Sequence, residues 1–211
     1  EIVQDSRNRW YACITVKDYP KQSCGTGSVG IDLGLKDSAT ASNGDKLTIK
    51  QTLKYAKQLA IAQRSNNKKR IKAIHAKIKN TRQDLIHKFT TQLVKDNALI
   101  VVGDVRTTQF NSKKGKLAKS VYDAGWFELK RQLTYKCENA GCRFEIVNEK
   151  YTTQTCSCCG DMSSSLSGRA GLRIREWTCA KCGTWHDRDI NASKNILAVG
   201  LDRLVEGIPE R

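Results

Sequence analysis

Residues 179–192 read CAKCGTWHDRDINA and join a cysteine pair directly to a short acidic cluster. Cys179 and Cys182 form one C-x-x-C pair, and Cys156 and Cys159 form another upstream. Four thiolates at this spacing are typical of a single tetrahedral zinc site. The pattern therefore predicts a zinc ribbon that holds the aspartates behind it in a fixed place.

The charge of the chain indicates a polyanionic partner. Its 211 residues include 37 Lys and Arg against 21 Asp and Glu, a formal net charge of +16. Nucleic acid is the commonest such partner, although a basic surface that only aids solubility would have the same composition. No stretch approaches the roughly 20 apolar residues of a membrane-spanning helix, so we expect no membrane association.

The cysteine content and the first residues bear on location. Nine cysteines is an odd number, and the C-x-x-C pairs favour metal binding in a reducing compartment over disulfides. The sequence starts at Glu1 without a Met or a signal peptide. We therefore expect a cytoplasmic protein and the C-terminal part of a longer one, in which residues 1–28 form the end of an N-terminal β region and a linker.

Several strand-like runs carry a carboxylate. Asp32 lies in a short apolar run, Asp104 ends a continuous apolar run, and Glu149 ends a third. The dipeptide Asn43-Gly44 is a strong hairpin signal, which predicts adjacent antiparallel strands with Asp32 on the first. The continuous run before Asp104 is typical of a central parallel strand.

Residues 51–97 contain neither Pro nor Gly and have a helical period. They predict a helical insertion of two helices, about 52–64 and 67–96. The polar face of the second helix includes the basic residues Lys68, Lys69, Arg70 and Arg82. An ordinary solvated face would look the same, but the charge of the whole chain favours contact with phosphates. A further helix is expected over 120–140, with Phe127 facing inward.

The order of these elements predicts where the acids meet. Hairpin strands, helices, a strand, a helix, a strand and a last helix are typical of an α/β fold with a ribonuclease H-like mixed sheet. In open α/β sheets, functional groups gather at the carboxyl ends of strands. Carboxylates there suit two Mg²⁺ or Mn²⁺ ions about 4 Å apart, which promote phosphodiester hydrolysis. Any one of these acids alone could equally be a helix cap or a surface charge.

Four motifs together resemble a known family. They are GIDLG at 30–34, N-x-R-x-D-x-x-H-K at 80–88, YTTQTC-x-x-CG at 151–160 and W-x-C-x-x-CG-x-x-HDRD-x-NA-x-x-NI at 177–196. The sequence is similar to TnpB, the transposon-encoded RNA-guided nucleases related to type V CRISPR effectors.

The resemblance implies a RuvC-like nuclease domain with an inserted zinc ribbon. Residues 29–150 would form the nuclease core, with the basic helical insertion at about 51–97. Residues 151–186 would form the ribbon, and 187–211 the last RuvC-like segment and a C-terminal tail.

The same resemblance implies three catalytic acids that bind Mg²⁺. Asp32 matches the first and Asp189 the third. The second departs from the family pattern, because the position of the usual glutamate holds Gly103, directly before Asp104. We predict that Glu149 is the second acid, with Asp104 as the alternative.

The implied function is RNA-guided DNA cleavage, with guide RNA and double- and single-stranded DNA as partners. Guide pairing would supply sequence specificity, and Arg188 is predicted to join the nucleic-acid contacts. The four cysteines would hold a structural Zn²⁺. The alternatives are a nuclease-dead RNA-guided DNA-binding repressor and a guide-independent structure-specific nuclease. The expected location is the prokaryotic cytoplasm, in association with the nucleoid.

Overall fold

A computed structural model describes residues 1–5, 7–17, 22–105, 116–167, 171 and 173–206. Residues 207–211 of the predicted tail lie outside this set. The first two strands, β1 (Ile2–Gln4) and β2 (Trp10–Ala12), pair only with each other, as an antiparallel hairpin. All their residues are exposed, so the hairpin contributes nothing to the core of the described chain.

A five-stranded mixed sheet forms the centre of the molecule. Its strands follow the order β5-β4-β3-β6-β7 and comprise β3 (Gly27–Asp32), β4 (Ala39–Ala41), β5 (Lys46–Leu47), β6 (Asn97–Gly103) and β7 (Arg143–Val147). Strands β3, β4 and β5 are antiparallel neighbours, whereas β6 runs parallel to both β3 and β7. The predicted hairpin and the predicted central parallel strand are thus confirmed.

The centre of β6 is shielded on both faces. Ile100, Val101 and Val102 are each 0% exposed, as expected for a continuous apolar strand between two layers. Ile100 and Val102 belong to the main core with the long helices, and Val101 packs with Ile196 on the other face. The sheet therefore separates two apolar layers.

The predicted helical insertion forms three helices, α1 (Gln51–Lys54), α2 (Ala56–Arg64) and α3 (Lys68–Asp96). The break predicted after residue 64 is present, and Asn66 there adopts a left-handed φ of 49°. The Asn67 side chain then caps α3 by accepting the Arg70 N–H. Tyr55, which separates α1 from α2, packs with α3 in a small apolar cluster of its own.

Two helices occupy the region predicted as one. Helix α4 (Lys116–Ala124) and helix α5 (Trp126–Ala140) are separated by Gly125, whose φ of 70° is unfavourable for other residues. The Trp126 indole is buried and donates to the Ser38 carbonyl at 3.0 Å. Phe127, predicted to face inward, is 78% exposed, because it follows Trp126 by one residue and points about 100° around the helix from it.

The last helix, α6 (Arg188–Glu206), lies against the sheet on the face opposite α3 and α5. Two glycines permit this close contact. A Cβ on Gly30 would collide with the Ser193 carbonyl, and a Cβ on Gly200 would collide with Val101. The helix is therefore held directly against β3 and β6.

The cysteine-rich segment forms a small unit between β7 and α6. It contains a 3₁₀ turn (Ser164–Leu166) and the antiparallel strands β8 (Glu176–Thr178) and β9 (Trp185–Asp187). Its own apolar cluster includes Leu166, Trp177 and two of the cysteines. In the described ranges, no helix is long and apolar enough to cross a membrane.

Candidate metal centres

Asp32 is the last residue of β3, and strand pairing sets what surrounds it. The neighbouring parallel strand pairs Ile31 with Val102, so that Asp32 lies beside the end of β6 at Gly103. Strand β7 pairs Val147 with Gly103 on the other side of β6. Three parallel strands therefore end at one edge, where the sequence predicted that the acids would meet.

Glu149 lies two residues beyond the end of β7 and reaches back over β6. A Cβ on Gly103 would lie 3.0 Å from the Glu149 Oε2 and 3.3 Å from the Glu149 Cβ. The glutamate therefore occupies the space above Gly103 that a side chain at that position would take.

Asp189 lies in the first turn of α6, the helix that packs on this sheet. Asp187, two residues earlier, accepts hydrogen bonds from the N–H groups of Asp189 and Ile190 at 2.9 and 3.0 Å and so fixes the start of the helix. Lys46 on β5 forms an ion pair with Asp187 at 3.1 Å. The Asp189 carboxylate itself accepts from Arg175, a residue of the ribbon, at 3.2 Å.

Two of the acids act electrostatically on the third. Burial, followed by the negative charges of Asp189 and Glu149, raises the pKa of Asp32 to about 7, against the opposing charges of Arg188 and Arg175. Carboxylate oxygens are the donors that Mg²⁺ and Mn²⁺ prefer, so the chemistry of these side chains suits such an ion. Among the described residues, the four cysteines of the two C-x-x-C pairs are the group whose ligand atoms already lie close enough to share one ion.

Asp104 lies at the margin of this cluster. It is exposed and forms an ion pair with Lys130 at 3.3 Å. Burial and the Asp104 charge raise the pKa of Glu149, and Lys130 opposes that rise. Asp104 is not among the charges that shift the pKa of Asp32. We name Asp32, Glu149 and Asp189 together the carboxylate cluster.

The four predicted zinc ligands also come together. The sulfur atoms of Cys156, Cys159, Cys179 and Cys182 all lie within 4.8 Å of one another. Two of the pairs are separated by 3.7 Å, which matches the edge of about 3.8 Å of a tetrahedron with Zn–S bonds of about 2.3 Å. Hydrogen bonding with Thr184 lowers the pKa of Cys182 to about 6, which favours the thiolate that a metal binds.

His186 contacts this cluster without belonging to it. Its Nε2 lies 3.0 Å from the Cys156 sulfur, and its ring lies 4.7 Å from that of Trp177. Four sulfur ligands complete a tetrahedral zinc site, so the histidine is suited to donate a hydrogen bond to a ligand. The neighbouring Cys158 is exposed.

The predicted nucleic-acid contacts divide into two groups. Lys68, Lys69 and Arg70 are exposed at the start of α3. Arg82, by contrast, is 9% exposed and lies 3.8 Å from Asp123 in an ion pair. Arg188 is 8% exposed and donates to the Gly171 carbonyl at 2.8 Å. Protein groups therefore engage both guanidinium groups, and their contact with nucleic acid stays a prediction.

Two asparagines of α6 contact the ribbon and received no role from the sequence. Asn191 and Asn195 donate to backbone carbonyls just before the first zinc ligand. Their spacing of four residues, which puts them on one face of the helix, was the available signal.

Comparisons with known proteins identify the family. Residues 11–112 match a family model described as "Probable transposase", and residues 126–196 match one described as "Cas12f1-like, TNB domain". A Streptomyces pristinaespiralis protein named "Putative RNA-guided DNA endonuclease" is 36% identical over 95% of this chain and 52% of its own length. A protein of Acanthamoeba polyphaga mimivirus named "TnpB-like protein L79" is 27% identical over 93% of this chain and 42% of its own length. The chain belongs to the TnpB family.

Other TnpB-family relatives agree with this assignment. "Putative RNA-guided DNA endonuclease InsQ" of Escherichia coli (strain K12) is 31% identical over 94% of this chain and 56% of its own length. The chain thus spans about half the length of these curated relatives. A solved Cas12f1–sgRNA–target DNA complex contains a chain that matches 81% of this one and 49% of its own length, at 18% identity and a TM-score of 0.58, which shows a shared fold.

Proposed function

We propose that this TnpB-family chain is the nuclease part of an RNA-guided DNA endonuclease that hydrolyses phosphodiesters with two divalent cations. One observation carries the proposal. Asp32 ends β3 and Glu149 follows β7 at the edge where the parallel strands end, and Asp189 opens the helix that packs on these strands, which supports a shared site. The names of the curated relatives support the same activity.

The sheet supports the proposed domain assignment. Three antiparallel strands followed by two parallel ones, with α6 on one face, support a ribonuclease H-like fold of the RuvC type. Residues 29–150 then form the nuclease core, interrupted by the helical insertion at about 51–97. Residues 151–186 form the ribbon, and the last segment starts at 187.

The carboxylate cluster would hold Mg²⁺ or Mn²⁺. When bound, such a pair activates water and stabilises the leaving oxygen of a phosphodiester. The chain positions the carboxylates by three different means. Asp32 is fixed by the ladder of β3, Asp189 by the capped start of α6, and Glu149 by the turn after β7.

Glu149, rather than Asp104, is the second acid of this proposal. The Glu149 charge acts on Asp32, whereas the exposed Asp104 forms an ion pair with Lys130 at 3.3 Å. Asp104 would then tune the charge at the margin of the site.

The ribbon serves as a structural unit. Four thiolates leave no open coordination position on a tetrahedral Zn²⁺, so catalysis at that ion is not expected. Its connection to the cleavage site is Arg175, whose guanidinium pairs with Asp189.

Guide RNA and DNA are the proposed partners. The net charge of +16 and the exposed residues Lys68, Lys69 and Arg70 support binding to phosphates. The Cas12f1 neighbour was solved with a guide RNA and target DNA.

The proposal is tested by cleavage of a matched target. The protein is purified with its co-purifying RNA, the RNA is sequenced, and matched and mismatched duplexes are offered with Mg²⁺. We expect cleavage of the matched duplex alone, abolished by Asp32→Ala and by Glu149→Gln but retained in Asp104→Asn. The last two variants separate the candidates for the second acid.

The other outcomes correspond to the alternative functions. Matched DNA that is bound but never cut would indicate a nuclease-dead repressor. Cleavage that does not depend on RNA would indicate a structure-specific nuclease.

A further inference from the structure

Two asparagines on one face of α6 hold the turn that precedes the first zinc ligand. The Asn195 Nδ2 donates to the carbonyls of Thr152 at 2.8 Å and Thr155 at 2.7 Å. The Asn191 Nδ2 donates to the same two carbonyls at 3.3 and 2.7 Å, and its Oδ1 accepts the Ser157 N–H at 2.9 Å. Asn191 is 1% exposed, so water competes little for these bonds.

The same turn is bonded to Glu149. Thr152, which is 5% exposed, donates to the Glu149 carbonyl from its N–H at 3.2 Å and from its hydroxyl at 2.8 Å. Strand β7 ends at Val147, so the sheet ladder does not reach Glu149. The described contacts that fix its backbone therefore run through Thr152 to the two asparagines.

We propose that Asn191 and Asn195 are positioning residues that set the place of Glu149 within the carboxylate cluster. The proposal rests on the function proposed above, because it takes Glu149 as a metal ligand. Helix α6 is pressed against β3 at Gly30 and carries Asp189 in its first turn. One rigid helix thus positions two of the three acids, one directly and one through side-chain amides.

The expected size of the effect follows from the behaviour of groups that orient metal ligands. Removing such a group commonly costs about 10- to 100-fold in metal affinity. Asn195→Ala removes both bonds of the partly exposed amide and leaves Asn191 in place, so the fold is preserved better than by changing the buried residue. We expect Mn²⁺ binding to weaken about tenfold.

The test is a double-mutant cycle on the zinc-loaded chain. Mn²⁺ dissociation constants are measured by electron paramagnetic resonance for the wild type, Asn195→Ala, Glu149→Gln and the double variant. Loss of the amide should weaken binding about tenfold in the wild-type background and less than about twofold in the Glu149→Gln background, since the positioned ligand is already absent. Lys194→Ala, an exposed neighbour on the same helix, is the matched control and should bind as the wild type does.

Two further measurements keep the result interpretable. Hydrogen exchange should accelerate at residues 149–157 in Asn195→Ala while zinc content stays at about one per chain. Should Asn195→Ala lose zinc, Thr152→Val removes the hydroxyl bond to Glu149 without altering α6 or the cysteines, and it should show the same dependence on Glu149.

The outcomes distinguish this inference from the function beneath it. If Glu149→Gln binds Mn²⁺ as tightly as the wild type, Glu149 is not a ligand and the proposed site itself is wrong. If Glu149→Gln weakens binding but loss of the Asn195 amide has no effect, or has the same effect in both backgrounds, the positioning role is overturned and the site stands.

Discussion

Protonation of Asp32 should control divalent cation binding near neutral pH. Burial and the charges of Asp189 and Glu149 raise its pKa to about 7, and a carboxylate must be ionised to ligate a metal. A group with this pKa is ionised in about a tenth of molecules at pH 6 and in about nine tenths at pH 8. We therefore expect the apparent Mn²⁺ affinity to rise about tenfold between these pH values, from Asp32 alone.

The stability of the metal-free protein should change in the opposite direction. The unfolded chain loses the Asp32 proton near pH 4, while the folded chain retains it until about pH 7. The folded state thus binds more protons over this interval, and its free energy of unfolding falls as the pH rises. Asp32→Asn removes the ionisable group and should flatten this decline while weakening metal binding.

Isothermal titration calorimetry measures the effect on metal binding, and scanning calorimetry of the metal-free protein at the same pH values measures the effect on stability. Mn²⁺ is titrated into zinc-loaded protein at pH 6, 7 and 8, in two buffers of different ionisation enthalpy. Binding should release about 0.9 proton from Asp32 at pH 6 and about 0.1 at pH 8. The pKa of Glu149 is raised as well, so a steeper dependence that disappears in Glu149→Gln would be assigned to that residue. A wild-type affinity that is constant from pH 6 to pH 8, without proton release, would refute the reasoning.

Three further predictions address other parts of the molecule. Gly103→Ala places a methyl group 3.0 Å from both the Glu149 Oε2 and the Ile196 Cδ1; we expect a loss of about 1 to 3 kcal/mol in stability and of at least about tenfold in cleavage rate, measured by denaturation and single-turnover kinetics. A Gly103→Ala variant that cleaves as fast as the wild type would contradict this prediction. Cys179→Ser should release about one Zn²⁺ per chain and unfold the ribbon, seen by metal analysis and proteolysis; unchanged zinc content would exclude the four-thiolate site. The last prediction concerns Lys68, Lys69 and Arg70. Replacing all three by Gln should reduce the magnitude of the slope of log affinity against log salt by up to about 3 if each contacts a phosphate. An unchanged slope would exclude these residues from the interface.

The elements of the sheet could be predicted because their signals are local. The Asn43-Gly44 turn fixes a hairpin, and residues 98–103 before Asp104 carry no polar side chain. The cysteine spacing is also a local signal, because each C-x-x-C pair supplies two of the four sulfur atoms that come together.

The sequence was less informative where a side chain's role depends on distant neighbours. Arg82 reads as one more base on a basic helix, but it is buried because Tyr122 and Asp123 of another helix cover it. Phe127 reads as a core aromatic, but Trp126 takes the inward position. The amides of α6 read only as part of a motif, because their partners are backbone carbonyls, which no side-chain pattern marks.

Gly103 and Glu149 show how a departure from a family pattern can be understood only in three dimensions. In sequence, a glycine at the expected acidic position suggests a missing ligand. In the structure, strand pairing brings the end of β7 beside Gly103, and the Glu149 carboxylate fills the space that the glycine leaves. A Cβ at position 103 would lie 3.0 Å from the Glu149 Oε2, so a side chain there requires the glutamate to shift by a few tenths of an ångström. The glycine therefore leaves room for the present conformation of Glu149. Glu149 lies in a turn and lacks the support of a strand ladder. The side-chain amides of Asn191 and Asn195 on α6 are therefore the groups proposed to hold it.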